Sequence, residues 1–273
     1  MSKWGYFMQD DIRPRTAQIN GESWGARAHD WADIQEKTVQ AVYETVFKEV
    51  ALGEGHHYLD AGCGSGLAAS LAAERGANVS GVDAAAALIE IAKARTVDGE
   101  FVVGDIEELP FEDNYFDLVT GFNSFQYAGN PKTALREAGR VCKPDGHILI
   151  MTWGEPENME AASLVAALKP LMPPPPPGAP GPFALSEKSK IQDFATAAGL
   201  SPIEILDVQS PWNYPDRETA IRGLMSAGTA KRPIDEHGAQ VVHDVFAKAL
   251  EPFEQPDGRI IISAWFRCLL AKK

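Results

Sequence analysis

Residues 58–70 read YLDAGCGSGLAAS. Apolar residues run into Asp60, glycines alternate at 62, 64 and 66, and a small-residue segment of helical composition follows. The pattern is a strand that turns tightly into a helix. Glycines at such a turn let the backbone bend sharply and approach a ligand without a Cβ in the way. Several kinds of nucleotide site use such a turn, and the residues around it have to decide between them.

Outward from this turn the chain alternates strand and helix. Strand-like runs are HYLDA (57–61), NVSGVD (78–83), EFVVGD (100–105), FDLVTGF (116–122) and GHILIMTW (146–153), the last preceded by a Pro-Asp-Gly turn. GLAASLAAERG and AAALIEIAKAR fill the first two gaps as helices. Strands alternating with helices predict βαβ units and a parallel sheet, hence an α/β doubly wound fold. Val39, Val42, Val46, Phe47 and Val50 recur at three- and four-residue steps and predict an amphipathic helix ending near Gly53. After the fifth strand, ENMEAASLVAALK reads as helix. PLMPPPPPGAPGP (170–182) reads as a stiff polyproline II stretch, expected to strap a lid over the substrate, with a ligand for a proline-recognising domain as the alternative. Then come a helix closed by Gly199, a strand IEILDV (203–208), two helical patterns within 215–252, and RIIISAWFRCLLA as one closing strand. The whole chain, 1–273, reads as one domain with a cofactor-binding core at 55–153. Segments 1–54, 154–185 and 210–256 are expected to form a cap and the substrate pocket.

Three acids mark one edge of this core. Asp60, Asp83 and Asp105 stand at or beside the ends of successive strands, 23 and 22 positions apart, which is about one βα unit. Open parallel sheets bind ligands at the carboxyl ends of their strands, so these carboxylates are expected to line one crevice. There Asp83 would accept from ribose hydroxyls, Asp105 from an exocyclic amine, and the Ile106 amide would donate to a base. Taken singly, Asp60 and Asp105 also suit helix caps.

The loop itself narrows the ligand. A phosphate loop needs Lys and Ser/Thr after its last glycine, whereas Gly66 is followed by Leu67, Ala68 and Ala69. A Gly-x-Gly-x-x-Gly fingerprint fails as well: from Gly62 the last position is Leu67, and from Gly64 it is Ala69. Only the looser variant ending in Ala survives. A ligand without phosphate contacts at this loop fits better.

LDAGCGSG, GVD and GDIEELPFEDNYFDLV, in that order, closely resemble the class I S-adenosylmethionine-dependent methyltransferases, in particular the small-molecule branch that includes the ubiquinone and menaquinone methyltransferases. The resemblance covers residues 55–153. It implies a Rossmann-like sheet of seven strands, mostly parallel, with the last strand antiparallel between the fifth and sixth. It implies S-adenosylmethionine as cofactor and methyl transfer to a small molecule by in-line attack. Asp60, Gly62, Cys63, Gly64 and Gly66 would surround the methionine end; Asp83 would hold the ribose. Ala84 and Leu88 would pack about the base, and Gly104, Asp105 and Ile106 would grip the adenine. Phe122 and Asn123 would lie beside the transferable methyl. Nucleic-acid amino-methyltransferases carry (Asp/Asn)-Pro-Pro-(Tyr/Phe) after the fourth strand; this chain has NSFQY from Asn123. Its opening segment SWGARAHDWADIQE also departs from the usual opening of the quinone enzymes. Trp24, Arg27, Ala28, Trp31 and Gln35 fall on one helical stripe, which makes Arg27 and Trp31 candidates to cover the methionine moiety.

No general base announces itself. Substrate-binding candidates are His29, Gln126, Tyr127 and Trp153, with the catalytic group left open. A net charge of −13 without a Lys/Arg block disfavours nucleic acid. Cys63, Cys142 and Cys268 are dispersed and the six histidines lack ligand spacing, so neither a disulfide framework nor a metal is expected. No apolar run approaches a membrane span and the start lacks a signal-peptide core, which gives a cytoplasmic expectation. The oligomeric state stays open. The alternative is a protein that keeps the cofactor fold for sensing, partner binding or a non-methylating reaction.

Overall fold

The computed structural model describes residues 15–173 and 181–273. Of the proline-rich stretch 170–182, residues 174–180 fall outside it, and with them most of the expected strap.

The alternating segment forms β1 (His57–Ala61), α1 (Leu67–Ala73), β2 (Asn78–Asp83), α2 (Ala86–Arg95), β3 (Glu100–Val103), β4 (Phe116–Phe122), α3 (Pro131–Val141) and β5 (Cys142–Trp153). Two departures from expectation are local. β3 stops at Val103, and the Gly104 amide makes the last rung to β2 by donating to the Asp83 carbonyl at 3.0 Å. β5 begins at Cys142: the Pro-Asp-Gly triplet is a bulge within the strand, since Phe116 pairs with Cys142 while Leu118 pairs with His147.

After β5 come α4 (Ala161–Ala167), α5 (Lys188–Ala197), β6 (Ser201–Gln209), β7 (Trp212–Tyr214), α6 (Arg217–Ser226), α7 (Gly228–His237), α8 (Ala239–Leu250), β8 (Ile260–Ile262) and β9 (Trp265–Lys272). The region 215–252 therefore holds three helices rather than two. α6 is capped by Asp216, whose side chain accepts from the Thr219 amide, and α6 and α7 break at extended Ala227. The closing strand is also two: β8 pairs with β7 in a separate ribbon, and β9 enters the main sheet.

That sheet has seven strands in the order β3-β2-β1-β4-β5-β9-β6, with β1 to β5 parallel and β9 antiparallel to both β5 and β6. The order in which strands are added to the sheet reverses between β1 and β4, which places the ligand crevice at their carboxyl ends. Alternation along β1 sends Leu59 into one core layer with α3 and α5, and Tyr58 into the other with α1 and α9 (Gln40–Glu49). A third apolar cluster lies outside the sheet, joining Met159 and Leu164 to Trp212, Leu224, Phe246 and Trp265. It unites 154–173 with the helices of 210–256.

The opening segment is not one helix. α10 (Ala17–Gly25) ends before Arg27, whose backbone leaves helical geometry (φ −136°, ψ 47°). A single turn at Ala28–Asp30 leads into a wide π-helical turn at Trp31–Gln35 and a tight 3₁₀ turn at Glu36–Val39. The single stripe expected for Trp24 to Gln35 is thereby split. Trp24, Ala28 and Trp31 pack with Leu88, whereas Gln35 turns to the cap.

Candidate functional site

Gly62, Gly64 and Gly66 all adopt positive φ (83°, 55° and 79°). Their surroundings are close. A Cβ on Gly62 would lie 2.4 Å from Ser124 Cβ, and one on Gly66 would lie 2.8 Å from Ala92 Cβ. On Gly64 it would come to 3.3 Å from Trp31 Nε1. The loop folds onto β2: Gly62 and Cys63 amides donate to the Val82 carbonyl at 2.7 and 3.0 Å, and the Gly64 amide donates to Asp83 Oδ2 at 2.9 Å.

The three strand-end acids converge on this loop. Asp60 is buried on β1, opposite Thr120 of β4, whose hydroxyl donates to Asp60 Oδ1 at 3.0 Å. Burial, with Glu36 and Asp83 adding like charge, pushes its carboxyl up to about 8. Asp83 accepts one amide on each oxygen, from Gly64 and from Ala85 at 2.8 Å, and burial lifts it above the ordinary carboxylate range despite them. Each of its oxygens keeps a lone pair for a further donor. Asp105 Oδ1 accepts from the Glu107 amide at 2.9 Å, as a cap would, but its buried Oδ2 has no hydrogen-bond donor. Arg15 approaches that carboxylate only to 3.8 Å.

Trp31 stands over Gly64 with its buried indole N–H unpartnered, so the structure brings it to the loop. Arg27 is not brought there. Arg27 lines a cleft of about 180 Å³ between the opening segment and the cap, with Met225, Lys231 and Ile234. Breaking the helix at Arg27 is what turns it away. His29 is exposed and has no place in the crevice. A larger cavity, about 470 Å³, lies by His56, Lys143 and His147 at the opposite end of the strands, away from every acid of the crevice.

At the end of β2, Ala84 meets the opening helix: a Cβ on Gly21 would fall 2.3 Å from the Ala84 carbonyl oxygen. Leu88 is buried beneath Trp24 and Trp31, and Gly104 packs on Val82. Ile106 is half-buried against the core layer of Leu59. On the other side, Phe122 does not face the crevice freely; its ring packs edge-on against Tyr43 and Phe47, at 4.5 and 6.2 Å between centroids. Asn123 takes a left-handed conformation (φ 59°) at the end of β4. Its Oδ1 accepts from Gln126 Nε2, leaving the buried Gln126 Oε1 as a free acceptor. Such strain in a non-glycine residue marks a position held by its surroundings, often at a site. Burial raises the Tyr127 hydroxyl, and burial with nearby Asp83 and Asp60 raises the Cys63 thiol, so neither is a ready base or nucleophile. Trp153 packs among Phe183, Trp212 and Phe266, between sheet and cap.

One participant went unread in the sequence. Glu36, with a side chain 3% exposed, accepts from the Ser65 hydroxyl at 2.5 Å, the Ser65 amide at 3.2 Å and Arg95 at 2.7 Å. In EKT, an acid beside a lysine looks solvent-facing, and only the change from π to 3₁₀ winding turns it inward.

Comparison with known proteins gives relatives for part of the chain. Residues 59–150 match the family model of a methyltransferase domain. The chain is 30% identical over 149 residues to a demethylmenaquinone methyltransferase of Renibacterium salmoninarum, covering 55% of this chain and 58% of that one. It is 27% identical over 174 residues to a malonyl-[acyl-carrier protein] O-methyltransferase of Serratia marcescens, covering 64% of each. Less than two thirds of either relative is thus spanned. Among solved structures, the YcgJ protein of Bacillus subtilis shares the fold, with a TM-score of 0.57 at 24% identity over 85% of this chain and 97% of that one. Residues 59–150 are thus similar to methyltransferase domains, and the relatives named for methyl transfer match only part of the chain.

Proposed function

We propose that this chain binds S-adenosylmethionine along the carboxyl edge of β1, β2 and β3 and transfers its methyl group to a small-molecule acceptor held under the cap. The observation that carries the reading is the buried, donorless Oδ2 of Asp105, which suits an exocyclic amine at the far end of the crevice. The residues between fit the rest of the cofactor. Asp83 would hold the ribose with its remaining lone pairs, and the Trp31 N–H beside Gly64 would meet the methionine carboxylate. Asp83 and Asp60 lie where the ammonium and sulfonium charges would arrive, and those cations would favour loss of the proton that burial holds on Asp60.

When bound, the cofactor supplies an activated methyl; the chain supplies orientation and exclusion of water. Asn123 and Gln126 can position an acceptor but cannot take its proton at neutral pH. With Tyr127 raised, the acceptor atom enters with a lone pair already available. Two features favour an acceptor with a flat apolar part. Trp153, at the carboxyl end of β5, packs with Phe183 and Trp212, and one relative is named for demethylmenaquinone. The cleft beside Arg27 is its proposed way in, with 1–54, 154–185 and 210–256 as cap.

Titration calorimetry tests the cofactor. S-adenosylmethionine and S-adenosylhomocysteine should bind and a dinucleotide should not; binding of the dinucleotide alone would turn the reading towards an oxidoreductase. Asp83→Ala should weaken binding by roughly tenfold to a hundredfold, the worth of about 1.5–3 kcal/mol for a charge-assisted hydrogen bond.

A further inference from the structure

We infer that Glu36 is a positioning residue of the cofactor site, a carboxylate from the opening segment that holds the glycine loop in its binding shape; this rests on the function proposed above. Glu36 Oε1 faces the Ser65 amide at 3.2 Å and the Leu67 amide at 3.5 Å, and Oε2 takes the Ser65 hydroxyl at 2.5 Å and Arg95 at 2.7 Å. The bonded amides flank Gly66, where the loop turns into α1. Every one of these groups can donate, and two of them are amides that can only donate, so the arrangement is that of a carboxylate with its charge balanced by Arg95.

The same acid sets the neighbourhood of Gly64. A Cβ there would meet Glu36 Oε1 and Trp31 Nε1, each at 3.3 Å, so the carboxylate and the unpartnered indole N–H stand on one side of the loop. The π-helical turn Trp31–Gln35 leads from the indole to the carboxylate, and such turns recur at functional sites. The next residue back, Gln35, accepts from Tyr214 of the cap at 2.8 Å. One turn of chain thus grips the cofactor loop with Glu36 and the cap with Gln35. Glu36 also takes the loop amides that a phosphate would need, which agrees with the missing Lys after Gly66.

Because the grip lies at the methionine side, its loss should discriminate between ligands. Calorimetry on the full chain would compare S-adenosylhomocysteine with adenosine, which lacks the methionine moiety. Glu36→Ala should weaken S-adenosylhomocysteine at least roughly tenfold and leave adenosine within about twofold. Glu36→Gln keeps an acceptor for the amides but turns an N–H towards Arg95, and should fall between. If Glu36→Ala does not fold, Ser65→Ala, which removes one donor, should show the same selectivity at about two- to fivefold. Equal losses for both ligands would make Glu36 merely structural and overturn the inference, as would unchanged S-adenosylhomocysteine affinity in the variants. Were the wild-type chain to bind neither ligand, the functional reading would fall and take this inference with it.

Discussion

An added Cβ at Gly62 would come within 2.4 Å of Ser124, and the backbone there has φ 83°; at Gly223 in the cap the same atom would come within 2.8 Å of Gln35 Oε1, but on ordinary helical backbone. Both places are crowded. In the loop, however, the constraint acts on the backbone as well, and only glycine meets it. Carboxylates at successive strand ends are a constraint of the same kind, since sheet topology dictates where they must stand. The cap is held by side-chain shape: Trp212, Leu224, Phe246 and Trp265 fill one cluster that other apolar residues of matching volume would also fill. Function in the first half is therefore written as residue types at spacings. In the second half it is written as shape.

The sharpest way to break this contrast is Gly62→Val. A β-branched side chain at positive φ against Ser124 should cost roughly 3–5 kcal/mol, combining backbone strain with overpacking, and abolish cofactor binding. A thermal melt together with titration would check it; near-normal stability would mean the loop is not constrained as described.

Next in size is the pH response of Asp60. Its folded carboxyl titrates near 8 against an ordinary 3.8, so the folded chain holds that proton more tightly than the unfolded chain. The favourable contribution is complete below about 4 and is lost as pH rises through about 8. The span sets an upper limit of roughly 5–6 kcal/mol, and recovery by solvent and cofactor charges brings the expected loss below that of Gly62→Val. Asp60→Asn keeps the acceptor for Thr120 and should flatten the decline of melting temperature between pH 5 and 9. An unchanged decline would exclude Asp60 as its source.

How far each half was legible follows from the same difference. β1, β2 and β4 ran between their expected residues, because apolar runs bounded by Gly and Asp leave little choice. The acids at 60, 83 and 105 converge because their spacing is that of the βα unit. Arg27 lines the cleft by the cap because the helix that would carry the stripe breaks at it. Glu36 was missed because no local pattern marks a winding change from π to 3₁₀. The third cap helix escaped because α6 and α7 meet at a single extended residue, Ala227, without a glycine or proline cluster between them.

The smallest effect is expected in the cap. Trp212 buries an indole N–H with no partner, so Trp212→Phe removes an unmet donor while leaving a modest cavity. The two effects should nearly cancel, keeping stability within about 1 kcal/mol and cofactor affinity unchanged. A cofactor affinity that fell with Trp212 would show the halves to be coupled more tightly than the contrast allows. Among the described residues, no helix is long and apolar enough to cross a membrane.

The proposed activity is methyl transfer from this crevice. Its most direct test is to incubate the purified chain with methyl-labelled S-adenosylmethionine and a metabolite extract, and to follow both products. S-adenosylhomocysteine should accumulate in step with label in one small-molecule fraction, and Asp83→Ala should slow both. Cofactor that binds yet yields neither product with any extract would contradict transfer and leave a binding protein of the same fold.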